Sequence, residues 1–234
     1  MAIESSELVK EYARRGNRFF AVDQVSLSVP KGKVTAVMGH SGSGKSTLAG
    51  ILAGMISPDA GEVTIDGVNL FQSGSRQIRK LRAGRIGVVP QSQSLIGGLT
   101  VAENIKLHMG LADAARGTRR GPNGLPEDLI QALGLEEILN VLPHKLSGGE
   151  MKRVAIARAL AADPEYIIAD EPTGELDEEN AKRVVQLFRK EAERGKGILL
   201  ITHDKSVGES ADRIYRMGRG KLQEAGEIGR SGNS

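Results

Sequence analysis

The chain has 234 residues, a length for one domain or two closely joined lobes. Its 32 basic and 29 acidic residues leave a formal charge of +3, too balanced for a dedicated nucleic-acid binder, and four Phe, three Tyr and no Trp argue against a base-stacking platform. Without cysteine there are no disulfides, thiolate metal sites or Cys nucleophiles. Glycine is in surplus: 30 residues, where average usage of ~7% gives roughly 16. Phosphate-binding loops account for part of that surplus.

The opening MAIESSELVKEY has no apolar stretch of the secretory type. The longest apolar runs, VTAVM (34–38) and ILLI (198–201), fall far short of the about 20 residues a membrane span needs. The expectation is a soluble, cytoplasmic chain. Val25–Val29 alternates as a strand, and PKGK (30–33) reads as a turn. Val34–Met38 is a short apolar run of the buried-strand kind, followed by a helix from near Gly44 to about Ala53. GEVTIDG (61–67) reads as strand and turn, and Arg85–Val89 as a strand closed by Pro90.

The middle, roughly 92–145, changes character. AENIKLHMGL and PEDLIQALGLEEIL read as helices, with an exposed loop at 115–124 between them. A helix pattern then runs from Ser147 to Ala162, a buried strand over Tyr166–Ala169, a charged helix over Glu178–Arg194 and a strand over Gly197–Thr202. Strands alternating with helices predict an α/β fold with a parallel sheet. The final IGRSGNS reads as disordered.

Gly39-His40-Ser41-Gly42-Ser43-Gly44-Lys45-Ser46 fits G-x-x-x-x-G-K-[ST] between a strand and a helix, with Thr47 next in the helix. Glycines let successive N–H groups turn around a phosphate, and the helix start adds a positive dipole end. In this motif Lys45 reaches the β- and γ-phosphates, and the Ser46 hydroxyl ligates Mg²⁺. The strand Tyr166–Ala169 delivers Asp170 to the same edge, the position of a carboxylate that holds Mg²⁺. Glu171, one residue on and before Pro172, turns towards the γ-phosphate and suits a general base. An acidic pair alone is also an ordinary solvated turn; the phosphate loop upstream selects the functional reading.

Leu146-Ser147-Gly148-Gly149-Glu150 opens a second helix with free N–H groups, a dipole end and a hydroxyl, about 100 residues after the first such start. One nucleotide hardly needs both from one chain. A head-to-tail pair, each chain offering LSGGE to the other's ATP, uses both and has two-fold symmetry.

With these three elements the sequence resembles the ATP-binding-cassette (ABC) ATPases, from about Leu8 to Leu222. The resemblance implies a P-loop NTPase fold with a parallel sheet core, an antiparallel β subdomain and a helical subdomain. Residues 1–91 and 146–222 would form the RecA-like core with the antiparallel part, 92–145 the helical subdomain and 223–234 a tail. Gln91 matches the Q-loop glutamine that contacts metal and water, and His203 the switch histidine at the γ-phosphate. Tyr12 matches the aromatic that stacks on adenine, with Phe19 and Phe20 expected to pack within the ARRGNRFF hairpin. That hairpin, SGSGKSTL and ADEPTGELD are similar to the lipoprotein-release and macrolide-export class. Gly174-Glu175-Leu176-Asp177 departs from the family's usual Ser-Ala before Leu-Asp.

The implied activity is ATP hydrolysis with ATP and Mg²⁺, by a peripheral protein on the cytoplasmic face of the membrane. The implied partners are a second ABC ATPase chain, as a homodimer, and a separate membrane-spanning transporter subunit, with no nucleic acid. Mechanical signalling in envelope remodelling or cell division is the alternative use of the same machine. Chromosome and repair ATPases of this family carry coiled-coil insertions or paired cassettes that 234 residues without sustained heptads do not hold. Arg76, Arg79, Lys80, Arg82 and Arg85 read as a solvated helix face, and Arg116, Arg119 and Arg120 as solubilising loop charges. His108 and His144 lack paired ligands, and the scattered methionines, Met38 to Met217, are expected to fill core gaps.

Overall fold

A computed structural model describes residues 1–14, 16–72, 74–92, 95–118 and 124–227. Strands β1 (Ala2–Arg14) and β2 (Asn17–Pro30) form a long antiparallel hairpin. The expected Val25–Val29 strand is the last part of β2, with Val25, Leu27 and Val29 turned into the core. β3 (Val34–Met38) and α1 (Lys45–Leu52) follow, then β4 (Ala60–Ile65) and β5 (Val68–Asn69), joined by a two-residue turn. Both turn residues, Asp66 (φ +51°) and Gly67 (φ +82°), are left-handed, the primed-turn geometry that Asp-Gly favours.

Next come α2 (Ser75–Arg85), β6 (Ile86–Val89), α3 (Val101–Arg116) and α4 (Glu127–Ala132). α3 starts on a capping box: Thr100 accepts from the Glu103 N–H, and the Glu103 carboxylate accepts from the Thr100 N–H. The chain then forms α5 (Gly148–Ala161), β7 (Tyr166–Asp170), α6 (Glu178–Glu193), β8 (Gly197–Thr202), α7 (Lys205–Glu209), β9 (Arg213–Gly218) and β10 (Lys221–Glu227).

One sheet has the order β2-β1-β4-β5 and is antiparallel. The other has the order β10-β9-β3-β8-β7-β6, parallel except for β10. Its central strands are buried on both faces, as their continuous apolar runs require. In β7, Ile167 and Ala169 join a core shared with α3, α5 and α6, while Tyr166 and Ile168 join one shared with α1 and the antiparallel sheet. In β8, Ile198 and Leu200 face the first core and Leu199 and Ile201 the second. The period of two along a strand divides these residues.

The two sheets are joined by an ionic cluster. Arg85 pairs with Asp66 and, at 2.6 Å, with Glu165; Lys31 bridges Glu165 at 2.5 Å and Asp66 at 3.4 Å; the Tyr166 hydroxyl donates to Asp66 at 2.5 Å. Arg85 is thus no part of a solvated face, and Arg82 donates to the Gly54 carbonyl at 3.3 Å; Arg76, Arg79 and Lys80 are exposed as expected. Arg116 is also structural: it ends α3 and donates to the carbonyls of Gly84 and Asp163, each at 2.7 Å. Arg119 and Arg120 lie outside the described residues, as does the expected disordered end, 228–234. Strand β10 continues past Gln223, where the tail is expected to begin. Met217 fills the core at 2% exposure, but Met55 is 57% exposed and fills no gap.

Candidate functional site

Parallel pairing aligns the C-terminal ends of β3, β7 and β8. Met38 stands opposite Thr202 and Asp170 opposite Ile201, so the residues just beyond these strands collect at one edge. Gly39–Gly44 leaves that edge and turns into α1. Gly44 has φ +109°, and a Cβ there would collide with the carbonyl oxygen of Ala21. The loop therefore packs directly on the β2 backbone, which only glycine allows. Lys45, 7% exposed, folds back so that Nζ donates to the carbonyls of Gly39 at 2.7 Å and His40 at 2.9 Å.

At the end of β7 the Asp170 carboxylate shares the strand edge with the Ser46 hydroxyl at the start of α1. Burial pushes the Asp170 carboxyl up and the neighbouring Glu171 charge adds to this, against the Ser46 hydroxyl and the Lys45 charge. Glu171 has a left-handed backbone, φ +49°, with its N–H donating to Ile201 O at 2.8 Å. Its Oε1 is 2.7 Å from Nδ1 of His203, and Oε2 accepts from Thr202 Oγ1 at 3.3 Å. Sparsely populated backbone held this firmly is a feature of functional positions.

These groups line a cavity of about 1000 Å³. His40, Ser41, Gly42, Gly44, Lys45, Ser46 and Thr47 of the phosphate loop and helix start line it, together with Asp170, Glu171, His203, Gln91 and Tyr12. Gly39 and Ser43 lie beneath: a Cβ on Gly39 would strike the Met217 carbonyl, and Ser43 is 1% exposed. The hairpin aromatics are not packed away. Phe19 and Phe20 are about half exposed and line the same cavity, with the rings of Tyr12 and Phe19 6.1 Å apart across the hairpin. Sequence reasoning missed Asp23, Arg219 and Gly220, which complete the lining; no spacing signal marks a turn between β9 and β10 as part of a nucleotide site.

Ser147–Glu150 stands elsewhere. Ser147 caps α5, accepting from the Glu150 N–H at 3.3 Å, and the Glu150 carboxylate accepts from the Ser147 N–H at 2.8 Å and hydroxyl at 2.7 Å. The backbone hydrogen bond from Ser147 and that of its hydroxyl hold the Glu150 carboxyl below its ordinary range. With Arg153, Glu175, Leu176, Asp177 and Asn180 these residues line a second pocket, of about 640 Å³, sharing no lining residue with the first. Glu175, the departure noted above, has φ +69° and sets its carboxylate against Gly148.

A phosphate loop on a parallel sheet, with a carboxylate pair at the neighbouring strand end, defines a P-loop nucleoside triphosphatase. The chain belongs to the ABC transporter family, whose description matches residues 22–174. It is an ATP-binding subunit of that family, hydrolysing ATP to ADP and phosphate. It is 42% identical over 209 residues, 88% of this chain and 90% of the relative, to the lipoprotein-releasing system ATP-binding protein LolD of Aquifex aeolicus. It is 36% identical over 223 residues to the macrolide export ATP-binding/permease protein MacB of Aggregatibacter actinomycetemcomitans, covering 94% of this chain but 34% of that protein. Among solved structures it is similar to the dimeric post-hydrolysis state of the ATP-binding cassette MJ0796 bound to ADP and Pi. That match has a TM-score of 0.87 and 32% identity, over 97% of this chain and all of that one.

Proposed function

We propose that two copies of this chain close head to tail on two ATP molecules, each site combining the first cavity of one copy with Ser147–Glu150 of the other, to drive a membrane-spanning partner. The observation that carries this reading is the separation of two phosphate-seeking helix starts into cavities with no common residue. The dimeric relatives support it.

Within a site, Tyr12 would carry the adenine, the N–H groups of residues 39–44 and Lys45 the β- and γ-phosphates. Glu171, aimed by His203 and Thr202, would take a proton from the attacking water. The water oxygen bonds to the γ-phosphorus as the bond to the bridging oxygen breaks, leaving ADP and phosphate. The donor set fits Mg²⁺: the Ser46 hydroxyl, the buried Asp170 carboxylate and the Gln91 amide are hard oxygens, few enough to suit an ion shared with phosphates. Bound there, Mg²⁺ would neutralise charge on the phosphates.

The described residues contain no helix long and apolar enough to cross a membrane. A separate spanning subunit fits this, with the chain peripheral on the cytoplasmic face. Segment 92–145 would meet that subunit, offering the half-exposed Ile96, Leu107 and Leu111. Export, or extraction of a substrate from the membrane, is the transport class favoured by the lipoprotein-release and macrolide-export relatives. A mixing assay tests the trans arrangement. Ser147→Arg and Lys45→Ala chains, each inactive alone, should regain ATPase activity when mixed, because one composite site is then intact. Full activity of pure Ser147→Arg would refute it.

A further inference from the structure

Lys152 is one of the most completely buried side chains, 1% exposed, on the first turns of α5. A lysine is almost never buried without partners. Its Nζ donates to the Gln91 carbonyl at 3.0 Å and to the Pro90 carbonyl at 3.4 Å, 61 and 62 residues away in sequence. Burial pulls its pKa down, and the carboxylates of Glu175, Asp170 and Glu171 oppose this. The ammonium therefore lies among the loop that carries Gln91, the acidic end of β7 and the segment that lines the second pocket.

We propose that Lys152 is a positioning residue that ties the main chain of Pro90–Gln91 to the helix opening with Ser147–Glu150, so that Gln91 of one half-site and the Ser147–Glu150 start of the other move as one body. The geometry requires this of any motion that keeps its hydrogen bonds. α5 is a continuous helix capped by Ser147, so a displacement of Gln91 pulls on Lys152 and reaches Ser147 through rigid backbone. Gln91 lines the nucleotide cavity and Ser147 the separate pocket. The function of the joint rests on the reading above; the joint itself does not, and it can be measured without nucleotide.

The test is hydrogen–deuterium exchange on the nucleotide-free chain, followed by ATPase kinetics. Lys152→Met keeps the apolar stem and loses the donor. It should speed exchange in peptides covering 86–92 while leaving 195–202 unchanged. It should lower kcat by about two- to thirtyfold, the range of a lost coupling, with KM for ATP nearly unchanged. Lys152→Gln, a shorter side chain that retains a donor, should recover part of both effects. Wild-type exchange at 86–92 in Lys152→Met overturns the joint. So does a uniform rise across all peptides, or Lys152→Gln behaving no better than Lys152→Met, since each marks Lys152 as packing alone. If Lys152→Met does not fold, Lys152→Leu, which also lacks the donor, takes its place: faster exchange confined to 86–92 supports the joint, and wild-type or uniformly raised exchange overturns it.

Discussion

Glu171 Oε1 stands 2.7 Å from His203 Nδ1, although 32 residues separate the two in sequence. Adjacent parallel strands end side by side, and the left-handed turn at Glu171, fastened to Ile201 O, aims the carboxylate along the edge towards β8. Replacing Glu171 by Gln should keep ATP binding, since Lys45, Ser46 and Asp170 remain. Phosphate release should fall by at least ~10²–10⁴, the usual loss of acid–base help. Size-exclusion with ATP should then show a lasting dimer. Near wild-type turnover would remove Glu171 from the role.

Tyr12 should hold the purine by its ring face. Base–aromatic stacking of about 1–3 kcal/mol makes Tyr12→Ala roughly ten- to a hundredfold weaker for ATP and GTP alike. Tyr12→Phe should be nearly silent. Titrating a fluorescent ATP analogue against these and Phe20→Ala identifies the platform; a loss confined to Phe20→Ala would move it to the other strand of the hairpin.

Two glycines of the phosphate loop should respond differently to a methyl group. Both are left-handed, Gly42 at φ +77° and Gly44 at φ +109°, but a Cβ on Gly42 meets nothing within 4 Å. Gly42→Ala should cost only the left-handed penalty, about 1–2 kcal/mol. Gly44→Ala must also push the loop off Ala21, and should lose both nucleotide binding and thermal stability. Melting curves with and without ATP separate the two.

The Arg85 cluster should make the fold acid-sensitive. Asp66 lies below the ordinary carboxylate range although burial alone would raise it, because the Tyr166 hydroxyl, Arg85 and Lys31 outweigh burial; Glu165 is lowered chiefly by its hydrogen bond from Arg85. A depressed carboxylate contributes stability that is complete above the unfolded pKa, about 4, and is lost as pH falls through the folded value. Arg85→Met leaves Asp66 and Glu165 short of a partner and should cost about 3 kcal/mol at neutral pH. The penalty should shrink towards about pH 3, where the unfolded carboxylates are protonated. Urea midpoints at the two pH values test this; an equal penalty at both would assign the effect to packing.

The local chemistry was legible in the sequence because it is local. The phosphate loop, the strand ending in Asp170-Glu171 and the Ser147–Glu150 cap each span a few residues whose backbone roles depend on near neighbours. The apolar runs of β3, β7 and β8 likewise announce strands buried on both faces. Tertiary structure alone decided what meets what. Asp23 and Arg219 reach the cavity because β2 and the turn after β9 pack against the phosphate loop. Phe19 and Phe20, on opposite faces of β2, both stay at that cavity because their end of the hairpin lies beyond the core, which β2 enters only at Ala21 and Val22. Arg85 and Lys152 are ordinary helix charges by pattern and Arg116 an ordinary loop charge, yet each is drawn to carbonyls or carboxylates dozens of residues away. A charge in sequence shows only its sign; burial and the partner that compensates it are set by packing, which no short window contains.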